Sequence, residues 1–261
     1  MTAGLYWLPM NTPVRRAHAW IFAFACLVSA AVFAAETAPA NRGNSPWKIH
    51  QRSSAQFPPR LTFNGVTRGT ACVRISIDTK GVLLDALIIS CSHKDFGAEA
   101  LRTVRRWSYE PEWVEGLPVG IVADIVFDFQ MNGPVAVEKR IPSSDDGPRA
   151  PRDPLATEEQ LAYRAEPMKD IDRIPPIVHT VPPVYPAEWS DRGIAGTATV
   201  DFYIDETGRA RVPVVTSSDH HLLGASAAAA VAQWQFEPPT QRGRPVLVHA
   251  VQIFTFQPEK K

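Results

Sequence analysis

Gly196-Thr197-Ala198-Thr199-Val200-Asp201-Phe202-Tyr203-Ile204-Asp205-Glu206-Thr207-Gly208 is the stretch on which the fold turns. Ala198, Val200, Phe202 and Ile204 alternate with Thr197, Thr199, Asp201, Tyr203 and Asp205. Apolar residues at every second position predict a strand with one buried face. Asp205-Glu206-Thr207-Gly208 predicts a hairpin turn, with glycine where φ can be positive. A second strand then covers Ala210–Ser217. Ala227, Ala228, Val231 and Trp234 fall at i, i+1, i+4 and i+7, the stripe of a helix. Glu237-Pro238 ends that helix, and Gly243-Arg244-Pro245 turns the chain into a last strand, Val246–Gln257.

These elements dictate a topology. If the first strand runs up, the hairpin brings the second down, the helix returns, and the third strand runs down. An all-antiparallel sheet then needs the first strand in the middle. The third strand becomes an edge whose N–H and C=O groups lack partners. Pro213 suits the opposite edge, where a missing donor is tolerated.

Working outward, the same pattern occurs twice. Shifting the chain by 127 residues lays Gly69–Gln130 over Gly196–Gln257 without a gap, with 23 identities in 62 positions. Matched pairs include Asp78/Asp205, Gly81/Gly208, Ser90/Ser217, His93/His220, Trp107/Trp234 and Pro118/Pro245. The expected architecture is α+β: two small domains, each a three-stranded antiparallel sheet (β-hairpin, helix, strand) packed with one or two helices. Expected boundaries are 35–55 for a flexible segment, 56–130 for the first domain and 176–257 for the second. Between them, residues 131–175 hold 7 of the 24 prolines and 16 charged residues, the composition of a polar linker. Within it, Thr157–Ala165 suits a short helix capped by Thr157.

Residues 1–34 read as a secretory signal or a membrane anchor. Arg15 and Arg16 precede an uncharged apolar run, residues 17–35, closed by small residues. Nineteen helical residues reach about 28 Å, close to the bilayer core, so both readings stand. Either fate exports the remainder to the periplasm, soluble or held at the inner membrane. The 27 basic and 27 acidic residues cancel, leaving no excess to collect on a phosphate backbone, so no nucleic acid is expected.

Other chemistry is thin. Cys72 and Cys91 are candidates for a disulfide in an oxidising compartment, provided that a bulge corrects their register. His220 and His221 lie next to each other after Asp219, and a third ligand at suitable spacing is lacking, so no metal is expected. Trp107 and Trp234 read as core plugs. Arg102, Arg105 and Arg106 read as a solvated helix face open to lipid or peptidoglycan. No serine–histidine–acid set, phosphate loop or carboxylate pair stands out, so neither catalytic residues nor a cofactor are expected.

A family resemblance extends this reading. Pro182-Pro183-Val184-Tyr185-Pro186 precedes Gly193-Ile194-Ala195-Gly196-Thr197. Tyr203–Arg209, Ser217-Ser218-Asp219-His220, Trp234–Pro238 and Gly243–Val246 follow in order. Over about 75 residues this pattern resembles the C-terminal domain of the TonB energy-transducer family. The first copy resembles it more loosely: it keeps Phe57-Pro58-Pro59 but lacks the tyrosine–proline pair. The resemblance implies an envelope protein whose last domain grips a peptide of an outer-membrane TonB-dependent receptor, in support of siderophore uptake and other energy-coupled transport. An inner-membrane proton-driven motor is an implied partner if the chain is anchored. On this reading Val246, Leu247, Val248, His249, Ala250, Val251 and Gln252 form the docking strand, by backbone addition to the free edge. The alternative is a soluble periplasmic interaction module, dimerising through its edges without energy coupling.

Overall fold

The computed structural model of the protein describes residues 43–51, 53–142, 162–186, 189 and 194–257. The apolar run at 17–35 and residues 157–161 lie outside these. Asn41–Lys261 form one compact unit. Both helix-on-sheet cores lie inside that unit.

The first copy runs β1 (Lys48–Gln51), α1 (Pro59–Phe63), β2 (Arg68–Ile77), β3 (Leu83–Cys91), α2 (Lys94–Arg106), β4 (Ser108–Glu110), β5 (Glu112–Val114), β6 (Leu117–Val119), β7 (Ile121–Gln130) and β8 (Ala136–Arg140). The connecting segment adds β9 (Tyr163–Arg164), β10 (Glu166–Pro167) and a 3-10 turn at Met168–Asp170. The second copy runs β11 (Ile177–His179), β12 (Gly196–Ile204), β13 (Ala210–Ser218), α3 (His221–Val231), β14 (Gln235–Phe236), β15 (Thr240–Gln241), β16 (Arg244–Pro245) and β17 (Val248–Phe256). The α+β architecture expected from the sequence is present in both copies, and in each the first long strand is central. The orders are β8-β7-β2-β3-β9 and β10-β17-β12-β13.

The hairpin turns show why the repeat keeps its aspartate and glycine. The Asp205 carboxylate accepts from the backbone N–H of Thr207 (2.9 Å) and Arg209 (3.0 Å), and Asp78 does the same for Lys80 and Val82 (both 2.8 Å). Gly208 sits at φ +85, and a Cβ there would meet Phe236 O at 2.0 Å. A side chain is therefore excluded both by the left-handed backbone and by the strand packed over the turn.

Alternation builds the cores as expected. Ala71, Val73, Ile75 and Ile77 lie with Phe96, Ala100 and Val104 of α2. Ala198, Val200, Phe202 and Ile204 lie with Leu223, Ala227 and Val231 of α3. Each helix starts on a histidine whose Nδ1 accepts a backbone N–H: His93 from Asp95 (3.1 Å), His220 from Leu222 (3.4 Å). Trp107 and Trp234 are buried at the helix ends, and each indole N–H donates at 2.9 Å to a carbonyl of the preceding arm, Ser53 O or Val181 O. The arm at 43–55, expected to be flexible, carries β1, which pairs with β4, and Trp47, which is buried in the first core.

One expectation is corrected. The strands are not half-exposed throughout, because part of the second face of each sheet is covered by the other copy, while Val251 and Ile253 of the second sheet stay exposed. Cys72, Leu87 and Ile89 of the first sheet meet Tyr203, Val212 and Leu247 of the second copy, with Ala165 of the connecting segment. Arg211 crosses this seam, donating from Nε to Asp85 at 2.8 Å and from a terminal nitrogen to Asp205 at 3.1 Å. Arg74, paired with Asp124 at 2.7 Å, lies 5.2 Å from the centre of the Tyr203 ring. The unit 41–261 is thus layered helix, sheet, sheet, helix, with the two sheets packed on each other over the seam.

Candidate functional site

The third strand of each copy is the edge that the topology leaves open, and the two copies treat it differently. In the first copy, β7 is closed by the chain that follows it: Asp124 to Asp128 pair antiparallel with Arg140 to Ala136 of β8. In the second copy, β17 is matched along its whole length by β12, from Gly196↔Phe256 to Ile204↔Val248. Its other side meets only β10, parallel, at Glu166↔Val248 and Pro167↔His249. Beyond His249 that side has no strand partner among the described residues.

Strand alternation says which groups point outward. Leu247 O accepts from Glu166 N at 2.8 Å, so the outward rungs fall at odd numbers. Past the β10 contact these are Val251, Ile253 and Thr255. Val251 and Ile253 are 55% and 63% exposed, on the sheet face away from α3. Ala250, Phe254 and Phe256 alternate with them and pack in the second core. The strip therefore offers backbone without a strand partner among the described residues, Ile253 O accepting only from the Gln252 side-chain amide at 2.8 Å, with an apolar flank.

The structure divides the docking strand expected at 246–252. Val246 lies before β17, its N–H tied to Pro239 O at 3.0 Å. Leu247 is fully buried in the seam. Val248 and His249 are in β17, but β10 occupies their outer side. Ala250, Val251 and Gln252 lie on the open part, which continues through Phe256. The shift arises because the chain at 246–247 is drawn in to fill the seam between the sheets.

The closed end of the edge is polar and buried. His249 Nε2 stands 2.9 Å from Asp201 Oδ2, and the imidazole lies 5.4 Å from the Tyr203 ring. Burial pushes the Tyr203 phenol up from its ordinary pKa. For Arg74 burial is the largest influence and acts downward, but the bond to Asp124 and the charges of Asp124, Tyr203 and Cys72 together outweigh it and hold the guanidinium charged.

The disulfide considered for Cys72 and Cys91 is not formed; both are free and buried. Cys72 pairs with Ser90 and Cys91 with Ala71. Ala71 faces α2, so Cys91 does too, while Cys72 faces the seam. Neighbouring rungs of a hairpin point to opposite faces, and the bulge beyond Cys72 leaves that unchanged. His220 and His221 stack on each other at 4.6 Å, with His220 committed to the helix cap and edge-on to Trp189.

Sequence reasoning missed the strap. Tyr163–Pro167 pairs first with β3 (Ser90↔Arg164, Cys91↔Tyr163) and then with β17. Tyr163 donates its hydroxyl proton to Glu206 at 2.8 Å, and Ala165 is buried between the sheets. Tyr163 and Arg164, expected in a helix, are strand. The signal for the seam was Tyr203 itself, a large aromatic on a face otherwise read as polar.

A family model described as the Gram-negative bacterial TonB protein C-terminal matches residues 55–131 and again 181–258. Protein TonB of Pseudomonas aeruginosa is 36% identical over 81 residues, covering 31% of this chain and 24% of the relative, so the chain spans about a quarter of the length of the curated relative it matches. Among solved structures, the solution NMR structure of the Pseudomonas aeruginosa TonB CTD is 32% identical, covers 37% of this chain and 96% of that chain, and superposes with a TM-score of 0.32. The TonB2 protein of Vibrio anguillarum is 26% identical, covering 33% of this chain and 82% of that chain, with a TM-score of 0.28. With both halves matched by one family model, the chain belongs to the TonB C-terminal family and carries its domain twice in tandem.

Proposed function

We propose that this protein works in the cell envelope by docking an extended peptide of an outer-membrane receptor on β17, as an adaptor in energy-coupled transport. The observation that carries the reading is the contrast between the two edges: β7 is sealed by β8, while β17 has no strand partner past His249 among the described residues, and a peptide there has only the Gln252 amide to displace from Ile253 O. An unpaired edge is a template for strand addition, and native proteins normally cover one. The docking register is Val251, Ile253 and Thr255, further along than the sequence pattern implies. Affinity comes from main-chain bonds at these rungs, and the apolar flank of Val251 and Ile253 accepts the partner's alternate side chains. The first copy acts as a brace that covers the part of the docking sheet's second face around Tyr203, Val212 and Leu247. Direct coupling to an inner-membrane motor requires that residues 17–35 be retained as an anchor.

The test uses residues 41–261 and peptides from the periplasm-facing N-termini of outer-membrane receptors. Val251→Pro removes one outward N–H, and an edge strand tolerates proline there. We expect saturable binding that weakens about tenfold in the variant, a typical cost for one lost bond plus a misfit rung. Amide shifts confined to β17 and its surroundings should accompany it. Absence of binding by any such peptide, with concentration-dependent dimerisation instead, would leave self-association through the same edge.

A further inference from the structure

The two copies share a fold but not a surface, and the difference falls on one helix. In α2, Ala98, Arg102, Arg105 and Arg106 are exposed, with Lys94 exposed at its start. The corresponding residues of α3 and its end are Ala225, Ala229, Ala232, Gln233 and His221. α3 packs on its sheet without a lysine or arginine, so the fold does not need the cations of α2. On the chain as a whole positive and negative residues cancel, which makes this local excess a choice of position.

The cations frame a groove. Arg60 of α1 and Arg102 and Arg106 of α2 line a cleft of about 390 Å³ between the helices, floored by Phe57, Pro58 and Pro59. Two carboxylates face it. Glu99 is buried and already bonded, accepting from Gln56 N at 3.1 Å and from Arg102 at 2.5 Å. Asp95 lies 3.9 Å from His93 at the helix start. Arg105 and Lys94 line a neighbouring groove on the other side of α2. Arg60, Lys94, Arg102, Arg105 and Arg106 thus share the two grooves with Asp95, Glu99 and Glu206, of which Glu99 is bonded to Arg102 and Glu206 to Tyr163; Arg211 in the second groove is bonded to Asp85 and Asp205. One turn beyond Arg60, Phe63 is 89% exposed, more than any other large apolar residue described. A bare aromatic beside clustered arginines is the signature of a surface that lies in a lipid headgroup layer, with the ring in the interface and the guanidiniums on phosphates.

We propose that the α1–α2 face of the first copy binds anionic phospholipid headgroups, with Arg60, Arg102, Arg105 and Arg106 on the phosphates and Phe63 entering the interface. This site is separate from β17 and does not depend on peptide docking. It gives the first copy a task that the second does not share: holding the molecule against a membrane while the other edge stays free. A carboxylate-bearing polymer such as peptidoglycan satisfies the arginines equally well but has no use for Phe63, which decides between the two.

The experiment uses residues 41–261, a compact unit without the apolar run. Partition is measured by co-sedimentation with vesicles of phosphatidylcholine alone and with equal phosphatidylglycerol, at about 0.1 M salt, where charges beyond roughly 10 Å are screened. Binding to the anionic vesicles only, weakening as salt rises, is expected. Arg60→Gln/Arg105→Gln/Arg106→Gln should lower it about 100-fold, near fivefold per arginine. Phe63→Ser should lower it about tenfold. These residues are exposed, so the variants should keep the parent's thermal melt; Arg102 stays in place because Glu99 depends on it. No preference for anionic vesicles, or full binding by the triple variant, overturns the proposal. So does binding to isolated sacculi that Phe63→Ser leaves unchanged when vesicles are not bound.

Discussion

Cys72 and Cys91 illustrate what a single residue's face decides. They sit on adjacent rungs of one hairpin, yet one enters the helix-side core and the other the seam. Burial pushes the Cys91 thiol up to about 11, and burial together with Asp124 raises Cys72 well above its ordinary value. Both are therefore thiols, not thiolates, at pH 8, and only the thiolate attacks an alkylating agent. Native residues 41–261 should resist iodoacetamide at pH 8, whereas the denatured, unreduced chain should take up two labels, read as a mass shift. Denatured protein that takes up none would mean a bridge had formed and that the hairpin faces are misassigned.

At the scale of elements, what could be read from the sequence followed from periodicity and from the repeat. Alternation in Gly196–Ile204, the Asp-x-x-Gly turn and the helical stripe ending at Trp234 predict strand, hairpin and helix, and the structure has each. The central place of the first strand followed from chain directions alone. The short strands escaped notice because two-residue pairings carry no period: Tyr163–Arg164 and Glu166–Pro167 read as linker, and their structure comes entirely from the edges they meet. That the seam and β10 cover Leu247 to His249, at the start of the expected docking stretch, could not be read, since local pattern does not reveal a neighbour. The strap can be tested directly. Glu166→Pro removes the N–H that bonds Leu247 O, in a chain already extended by Pro167. The loss should destabilise the unit by about 1 kcal/mol, the usual net worth of one such bond. Loosening Glu166–Pro167 also clears the outward groups of Leu247 and His249, so a docking peptide should bind more tightly, or at least reach further along β17 by amide protection. A melting curve and amide protection identical to the parent's would show that the strap is not a strand.

For the whole molecule, the seam explains why one chain carries the domain twice. A single helix over three strands is a small core, near the lower limit for a domain that folds alone. Stacking the two sheets buries part of their second faces as well, so each copy supplies what the other lacks. Tyr203 and Leu247 are fully buried, and Val212 nearly so, by contacts made largely across this seam. Val212 is held at φ +42, an outlying conformation for a β-branched residue, and its side chain is directed into the seam. Arg211 would lose its fork to Asp85 if the copies were parted. A charged hydrogen bond of this kind is worth roughly 2 kcal/mol, and each exposed apolar side chain adds to the loss. Residues 162–261 alone should therefore either melt about 10 °C or more below residues 41–261, given the 4–8 °C per kcal/mol of a small domain, or dimerise through the uncovered face. Calorimetry and sedimentation on the two fragments distinguish these outcomes, and restoring residues 41–142 in trans should reverse either one. A monomeric 162–261 that melts where the parent does would mean that the two halves are merely tethered and that the first copy braces nothing.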